Sequence, residues 1–140
     1  MNIVQVETFA VVGREARTSN KKEMSGSGAI GAMWSKGVPT GPVIAIYSGY
    51  ESDKDGEYNY LLGRRTQDDE TVPMELVHRV IAPGTYWRLS FEGSISPEAV
   101  VGLWGQVWDA ERSGKIQRAY ETDFESYNEN GLDLYIGLKS

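Results

Sequence analysis

Alternation of apolar and polar positions is clearest at the end of the chain. Tyr120, Thr122, Phe124 and Ser126 interleave with Glu121, Asp123, Glu125 and Tyr127, the two-residue period of a strand. Asn130-Gly131 supplies a tight turn, because both residues tolerate positive φ. Leu132, Leu134, Ile136 and Leu138 then mark one buried face of a return strand. The pattern predicts a closing β-hairpin. Residues 2–16 carry apolar groups on both sides and predict one strand covered on both faces. Asn20 with Glu23 three residues on reads as a capping box. It opens a helix to about Trp34 or Lys36, ended by Lys36-Gly37-Val38-Pro39 and a turn-rich loop through Gly41-Pro42. Strands are predicted over 43–50, 57–65, 74–81 and 85–92, with turns at Asp55-Gly56 and Ala82-Pro83-Gly84 and a polar loop over 66–71. Ser96-Pro97 starts a second helix, and Ser113-Gly114 stops it after Arg112. Its apolar stripe is Val100, Leu103, Trp104, Val107 and Trp108.

The order is β-α-β-β, an extra strand, then β-α-β-β again, and the halves match in sequence. Gly28, Gly31 and Trp34 fall on Gly102, Gly105 and Trp108 at a constant offset of 74. The same offset lays Tyr50-Glu51-Ser52 on Phe124-Glu125-Ser126 and Leu62-Gly63 on Ile136-Gly137. The expectation is one α+β domain over 1–140 with duplicated β-α-β-β modules, about 1–66 and 84–140, joined by an extra strand at about 74–82. Pseudo-two-fold symmetry then gives a mainly antiparallel sheet with two helices around a central cleft, and such a seam is a natural ligand site. The paired helix glycines read either as close packing on the sheet or as a notch beside an aromatic wall.

Length and composition (140 residues, 40% hydrophobic, 24% charged) fit one globular domain. No apolar run is long enough for a membrane span. The start, MNIVQVETFAVVG, lacks the pattern of a signal peptide, so a cytoplasmic location is expected. A net charge of −6 argues against direct nucleic-acid binding and leaves cations as partners. With no cysteine, thiolate metal sites, disulfides and thiol catalysis drop out. His78 is the single histidine and reads as a half-buried strand residue, so no metal or other cofactor is expected. Residues 26–31 fit GxGxxG, but inside a predicted helix rather than at its mouth, so a dinucleotide site is not expected.

What remains is aromatic and acidic: four Trp, eight Tyr and three Phe. A carboxylate among aromatic rings suits a cationic guest, through charge pairing and cation–π attraction. Alternation puts Glu121, Asp123 and Glu125 on one side, which by itself also reads as a solvated acidic face.

Several segments resemble the GyrI-like, or AraC-type effector-binding, family, whose module forms the ligand-sensing domains of Rob and BmrR. They are FAVVGREART, IYSGYESDKDGEYNYLLG at 46–63, APGTYWRLSFEGS at 82–94, LWGQVW at 103–108 and DFESYNENGLDLYIGLK at 123–139. The resemblance implies two β-α-β-β halves around a cleft for amphipathic, often cationic and aromatic, compounds. It assigns the acidic role to Glu125 in the pair Phe124-Glu125, matches Tyr47 to a recurrent aromatic, and puts Trp104 and Trp108 on the helix flanking the cleft. Phe91 and Tyr127 are further ligand-binding candidates. With no room here for a helix-turn-helix, it implies a stand-alone multidrug-binding member. Alternatives within the family are a hydrolase of strained electrophilic natural products, with Glu125 as the base, and a GyrI-like modulator of a protein partner. Exposed sheet edges also permit a homodimer.

Overall fold

A computed structural model describes residues 1–38, 42–67 and 70–140. Among them the chain forms eight strands and three helices. They are β1 (Asn2–Val6), β2 (Ala10–Ser19), α1 (Asn20–Ser25), α2 (Ile30–Ser35), β3 (Val43–Ser48), β4 (Glu57–Arg65), β5 (Val77–Val80), β6 (Gly84–Glu92), α3 (Pro97–Arg112), β7 (Arg118–Asn128) and β8 (Gly131–Leu138). The strands make one antiparallel sheet in the order β1-β6-β8-β7-β3-β4-β2-β5. Read outward from the middle, β3-β4-β2-β5 mirrors β7-β8-β6-β1. The pseudo-two-fold axis therefore lies between β3 and β7, and the expected duplicated α+β architecture holds.

The register corrects one detail of the internal match. Leu62 pairs with Ala45, and Ile136 pairs with Asp123. Residues 62 and 136 are 74 apart, but 45 and 123 are 78 apart. The equivalent of Phe124 is thus Ile46, which also pairs with it across the seam, and the equivalent of Glu125 is Tyr47. Tyr50-Glu51-Ser52 lies past the end of β3, in a hairpin loop longer than its counterpart.

Two predicted elements are each split. The strand over 2–16 breaks at residues 7–9, sending β1 and β2 to distant parts of the sheet. Thr8 Oγ1 donates to the Ile81 carbonyl at 2.8 Å, and the Ile81 amide donates to the Phe9 carbonyl at 2.8 Å. The crossing puts Phe9 edge-on against Phe124, at 5.6 Å between ring centres. The first helix breaks because Gly26 turns left-handed, at φ 85°, and closes α1. Its N-cap is Ser19 rather than Asn20. Glu23 makes no box with that cap: its carboxylate accepts the Ala29 and Ile30 amides and so caps α2. The predicted stop at Pro39, the turn at Gly41 and the middle of the 66–71 loop lie outside the described residues. The extra strand covers only Val77–Val80, and its His78 is exposed rather than half-buried. α3 starts at the Ser96 cap with Pro97 in its first turn and runs as predicted.

Both faces of the sheet are buried. Tyr47, Tyr60, Leu62, Leu134 and Ile136 pack beneath the helices, with Leu103, Trp104 and Val107 of α3 above them. On the reverse face Val11, Ile44, Ile46, Leu61 and Phe124 form a second cluster. No helix of the described residues is long and apolar enough to cross a membrane.

Close packing accounts for one of the four paired glycines, Gly28, where a Cβ would stand 2.1 Å from the Glu23 carboxylate, and not for the other three. A Cβ at Gly31, Gly102 or Gly105 would meet nothing within 4 Å. A Cβ at Gly63, in contrast, would stand 2.1 Å from the Val12 carbonyl oxygen. Gly102→Ala is therefore expected to stabilise the protein by about 1 kcal/mol through helix propensity. Gly63→Ala is expected to destabilise it by roughly 2 kcal/mol or more, because backbone must shift. Denaturant melts of the two variants check both signs.

Candidate functional site

The strands at the seam set which side chains meet. Ala45 pairs with Glu125 and Tyr47 with Tyr60, while Tyr58 and Glu125 share their face with Tyr60 and Tyr127, two residues on in each strand. All of these point toward the helices. Ala45, opposite Glu125, adds only a methyl group. Phe124, by the same alternation, points to the reverse face.

A cavity of about 480 Å³ lies between this floor and the helices. Its floor is Tyr47, Tyr58, Tyr60, Glu125 and Tyr127. One wall is α1 and α2, through Asn20, Glu23, Met24, Ile30 and Trp34. The other is α3, through Pro97, Val100, Val101, Trp104 and Trp108. The size suits a drug-like guest.

Glu125 is 1% exposed. Its Oε2 accepts from the Trp104 indole N–H at 2.9 Å and the Tyr47 hydroxyl at 3.0 Å. Its Oε1 is 2.7 Å from the Tyr127 hydroxyl. All three partners are neutral. The nearest buried cation, Arg118, is committed elsewhere, to Asp123 at 2.7 Å. No lysine, arginine or histidine lines the cavity among the described residues. Burial raises the Glu125 pKa above its usual 4.5, and the three hydrogen bonds pull it back only in part. Burial and the nearby Glu125 charge push the Tyr47 and Tyr127 phenols up, so both stay protonated as donors.

Of the residues singled out from sequence, Glu125, Tyr47, Trp104, Trp108 and Tyr127 come together on this cavity. Phe91 does not: it lies on β6, half-buried against the core, and is not among the lining residues. The solvated acidic face is not found, since Asp123 and Glu125 are both buried. Sequence reasoning left out Tyr58, Tyr60, Trp34 and Glu23. Tyr58 and Tyr60 carried a signal, being two apart on one strand. So did Trp34, the internal match of Trp108. Trp34 donates to the Tyr60 hydroxyl at 2.9 Å and packs edge-on to Tyr127. Nothing local marked Glu23, whose place depends on the break at Gly26. The GxGxxG run spans that break, and its Ala29 and Ile30 amides hold the Glu23 carboxylate. No cluster of metal-binding side chains occurs among the described residues.

A sheet of two like halves with an aromatic, acid-floored cavity at the join defines an effector-binding domain. The chain belongs to the integron-associated effector-binding proteins, a GyrI-like family, whose model matches residues 2–138. An integron cassette protein of Vibrio cholerae, solved by crystallography, is 30% identical with a TM-score of 0.84, covering 99% of this chain and 95% of that one. YobU of Bacillus subtilis, described as a candidate transcriptional regulator, is 24% identical over 99% of this chain and 97% of its own length. The structure of SAV2435 bound to tetraphenylphosphonium has the same fold, with a TM-score of 0.74 at 13% identity over 99% of this chain and 93% of that one.

Burial of Glu125 has a consequence for stability. Its folded pKa lies above the unfolded one, so the native state binds the proton more tightly. The stability this gives is full below the ordinary carboxylate range and is lost as pH rises through the folded pKa. Glu125→Gln removes the titration. The stability of the native protein relative to this variant is expected to fall as pH rises above about 4.5, checked by urea melts across that range.

Proposed function

We propose that this protein is a binding module that captures amphipathic, cationic aromatic compounds, with Glu125 as the counter-charge. One observation carries this reading: a fully buried carboxylate held by three neutral donors, with no cation beside it. Desolvating an ion costs several kcal/mol, and a guest cation would offset that cost. The rings around it add about 0.5 to 2 kcal/mol of cation–π attraction per well-placed contact. Tetraphenylphosphonium, the ligand of SAV2435, is a cation of this chemical class, and SAV2435 shares the fold.

A second reading has its own support. Two tyrosine hydroxyls lie on the Glu125 oxygens, a base with a proton donor at hand. In a hydrolase of strained electrophiles, Glu125 would take a proton from water as the water's oxygen bonds to the strained carbon. A tyrosine would protonate the atom released by ring opening, and Glu125 would then reprotonate the tyrosine. Incubation with a cyclopropane-bearing electrophile, followed by mass spectrometry for the water adduct, tests it. No turnover above buffer removes it.

For the binding reading, titration with a rhodamine cation is expected to quench tryptophan fluorescence. Glu125→Gln, with an unchanged circular dichroism spectrum, is expected to weaken binding by about tenfold or more. Equal affinity in the variant would sink the proposal. Because the guest requires the ionised acid, native affinity is expected to rise with pH until Glu125 is ionised, with proton release on binding at lower pH. Affinity independent of pH in the native protein would argue against Glu125 as the counter-charge.

A further inference from the structure

The cavity holds a second carboxylate that the cation reading above does not use. Glu23, on α1, is half-buried and lines the cavity wall. Its Oε2 accepts the Thr18 hydroxyl at 2.5 Å and the Ala29 amide at 2.8 Å, and its Oε1 accepts the Ile30 amide at 3.3 Å. These bonds hold the group still, but every donor is neutral. They orient the negative charge without cancelling it. Among the described residues Glu23 makes no ion pair, and the neighbouring Lys22 is taken by Glu57. Its situation repeats that of Glu125: a fixed carboxylate, satisfied in hydrogen bonds and unmatched in charge.

A row of tyrosines links the two acids. Tyr47 touches Glu125 through its hydroxyl and packs on Tyr58, with ring centres 5.4 Å apart. Tyr58 in turn points its hydroxyl at Asn20 Oδ1, at 3.0 Å, on the helix that carries Glu23. Burial first, and then the two carboxylates, push the Tyr58 and Tyr60 phenols up, which agrees with rings lying near both negative charges. Trp34 and Trp104 stand on the two walls of the same space. The cavity thus carries a formal charge of −2, divided between Glu23 and Glu125, with aromatic rings linking the two.

We infer that the cavity is built for elongated ligands with a cationic group at each end and an apolar spacer, Glu23 matching one end and Glu125 the other. A ligand with one charge leaves one carboxylate facing an apolar group. A ligand with two charges neutralises both, and its spacer lies on the tyrosines. The inference rests on the reading of the cavity as a cation site.

The test compares two ligands by fluorescence titration. One has two quinolinium rings joined by a decamethylene chain; the other has a single quinolinium ring carrying a decyl chain. Each is titrated into the native protein and into Glu23→Gln, Glu125→Gln and Glu92→Gln, the last removing the same charge from an exposed site outside the cavity. The native protein is expected to bind the two-ended ligand about tenfold more tightly than the one-ended ligand. Glu23→Gln is expected to erase most of that preference, with less than about a twofold change for the one-ended ligand, and Glu92→Gln to leave the preference intact. Three results would overturn the inference: no native preference, equal weakening of both ligands by Glu23→Gln, or the same loss of preference in Glu92→Gln. Failure of the underlying cation reading is distinct, because Glu125→Gln would then bind the one-ended ligand as well as the native protein does.

Discussion

A buried carboxylate with hydrogen bonds but no counter-ion is the constraint on which this structure turns. Glu125 satisfies its lone pairs through an indole N–H and two phenols, one donor from α3 and the others from β3 and its own strand. Such groups make the acid tolerable in the core without neutralising it. A lysine or arginine in their place would complete the charge and leave nothing for a guest to do. Neutral donors keep the site electrostatically unfinished, and the proposed cation capture rests on that.

The neighbouring acid shows the other outcome. Asp123, on the same strand and the same side, is paired with the buried Arg118. It also accepts from Tyr50 and from the Gly137 amide. Between Arg118 and Asp123 the pairing of β7 with β8 slips, and Tyr120 adopts a positive φ of 54°. The irregular strand brings Tyr120 onto the Glu111 carboxylate of α3, at 2.6 and 2.7 Å. It also sets the Arg118 guanidinium 5.5 Å from the centre of the Trp104 ring. The completed ion pair thus braces the helix and the indole that serve the incomplete site. One strand carries both an acid paired with a cation and an acid without one, two positions apart.

Duplication explains where the site is, and its imperfections explain the chemistry of the groups that line it. The axis passes through the Ile46–Phe124 pair, next to which Tyr47 and Glu125 occupy equivalent positions. A perfectly repeated sequence would place two tyrosines or two glutamates there. Having one of each turns a symmetric join into a hydroxyl donating to a carboxylate. The helices differ in the same way. α3 is a continuous 16-residue helix, whereas the first half breaks into two short helices held together by Glu23. That break opens one wall of the cavity and puts a second acid on it.

The sequence by itself determined the order of elements from β3 onward, the duplication, the capped second helix and the closing hairpin. Each rests on a local signal: period-two alternation, Ser96-Pro97, Asn130-Gly131, or a repeated spacing. The duplicated family resemblance followed from the same segments, and with it the choice of Glu125, Tyr47, Trp104 and Trp108. Tertiary structure decided what those signals leave open. Alternation places Glu125 and Phe124 on opposite faces of a strand but does not say which face meets solvent, and here neither does. The capping pattern at Asn20 and Glu23 predicted one helix across the Ser25-Gly26-Ser27-Gly28 run, where the chain in fact breaks; Glu23 became the cap of the next helix only because the chain folds back on it. Whether a buried acid is cancelled or left charged depends on which residue lies opposite in space. Arg118 lies five positions from Asp123 in sequence and seven from Glu125, and only the slipped register of β7 gives it to the first and denies it to the second.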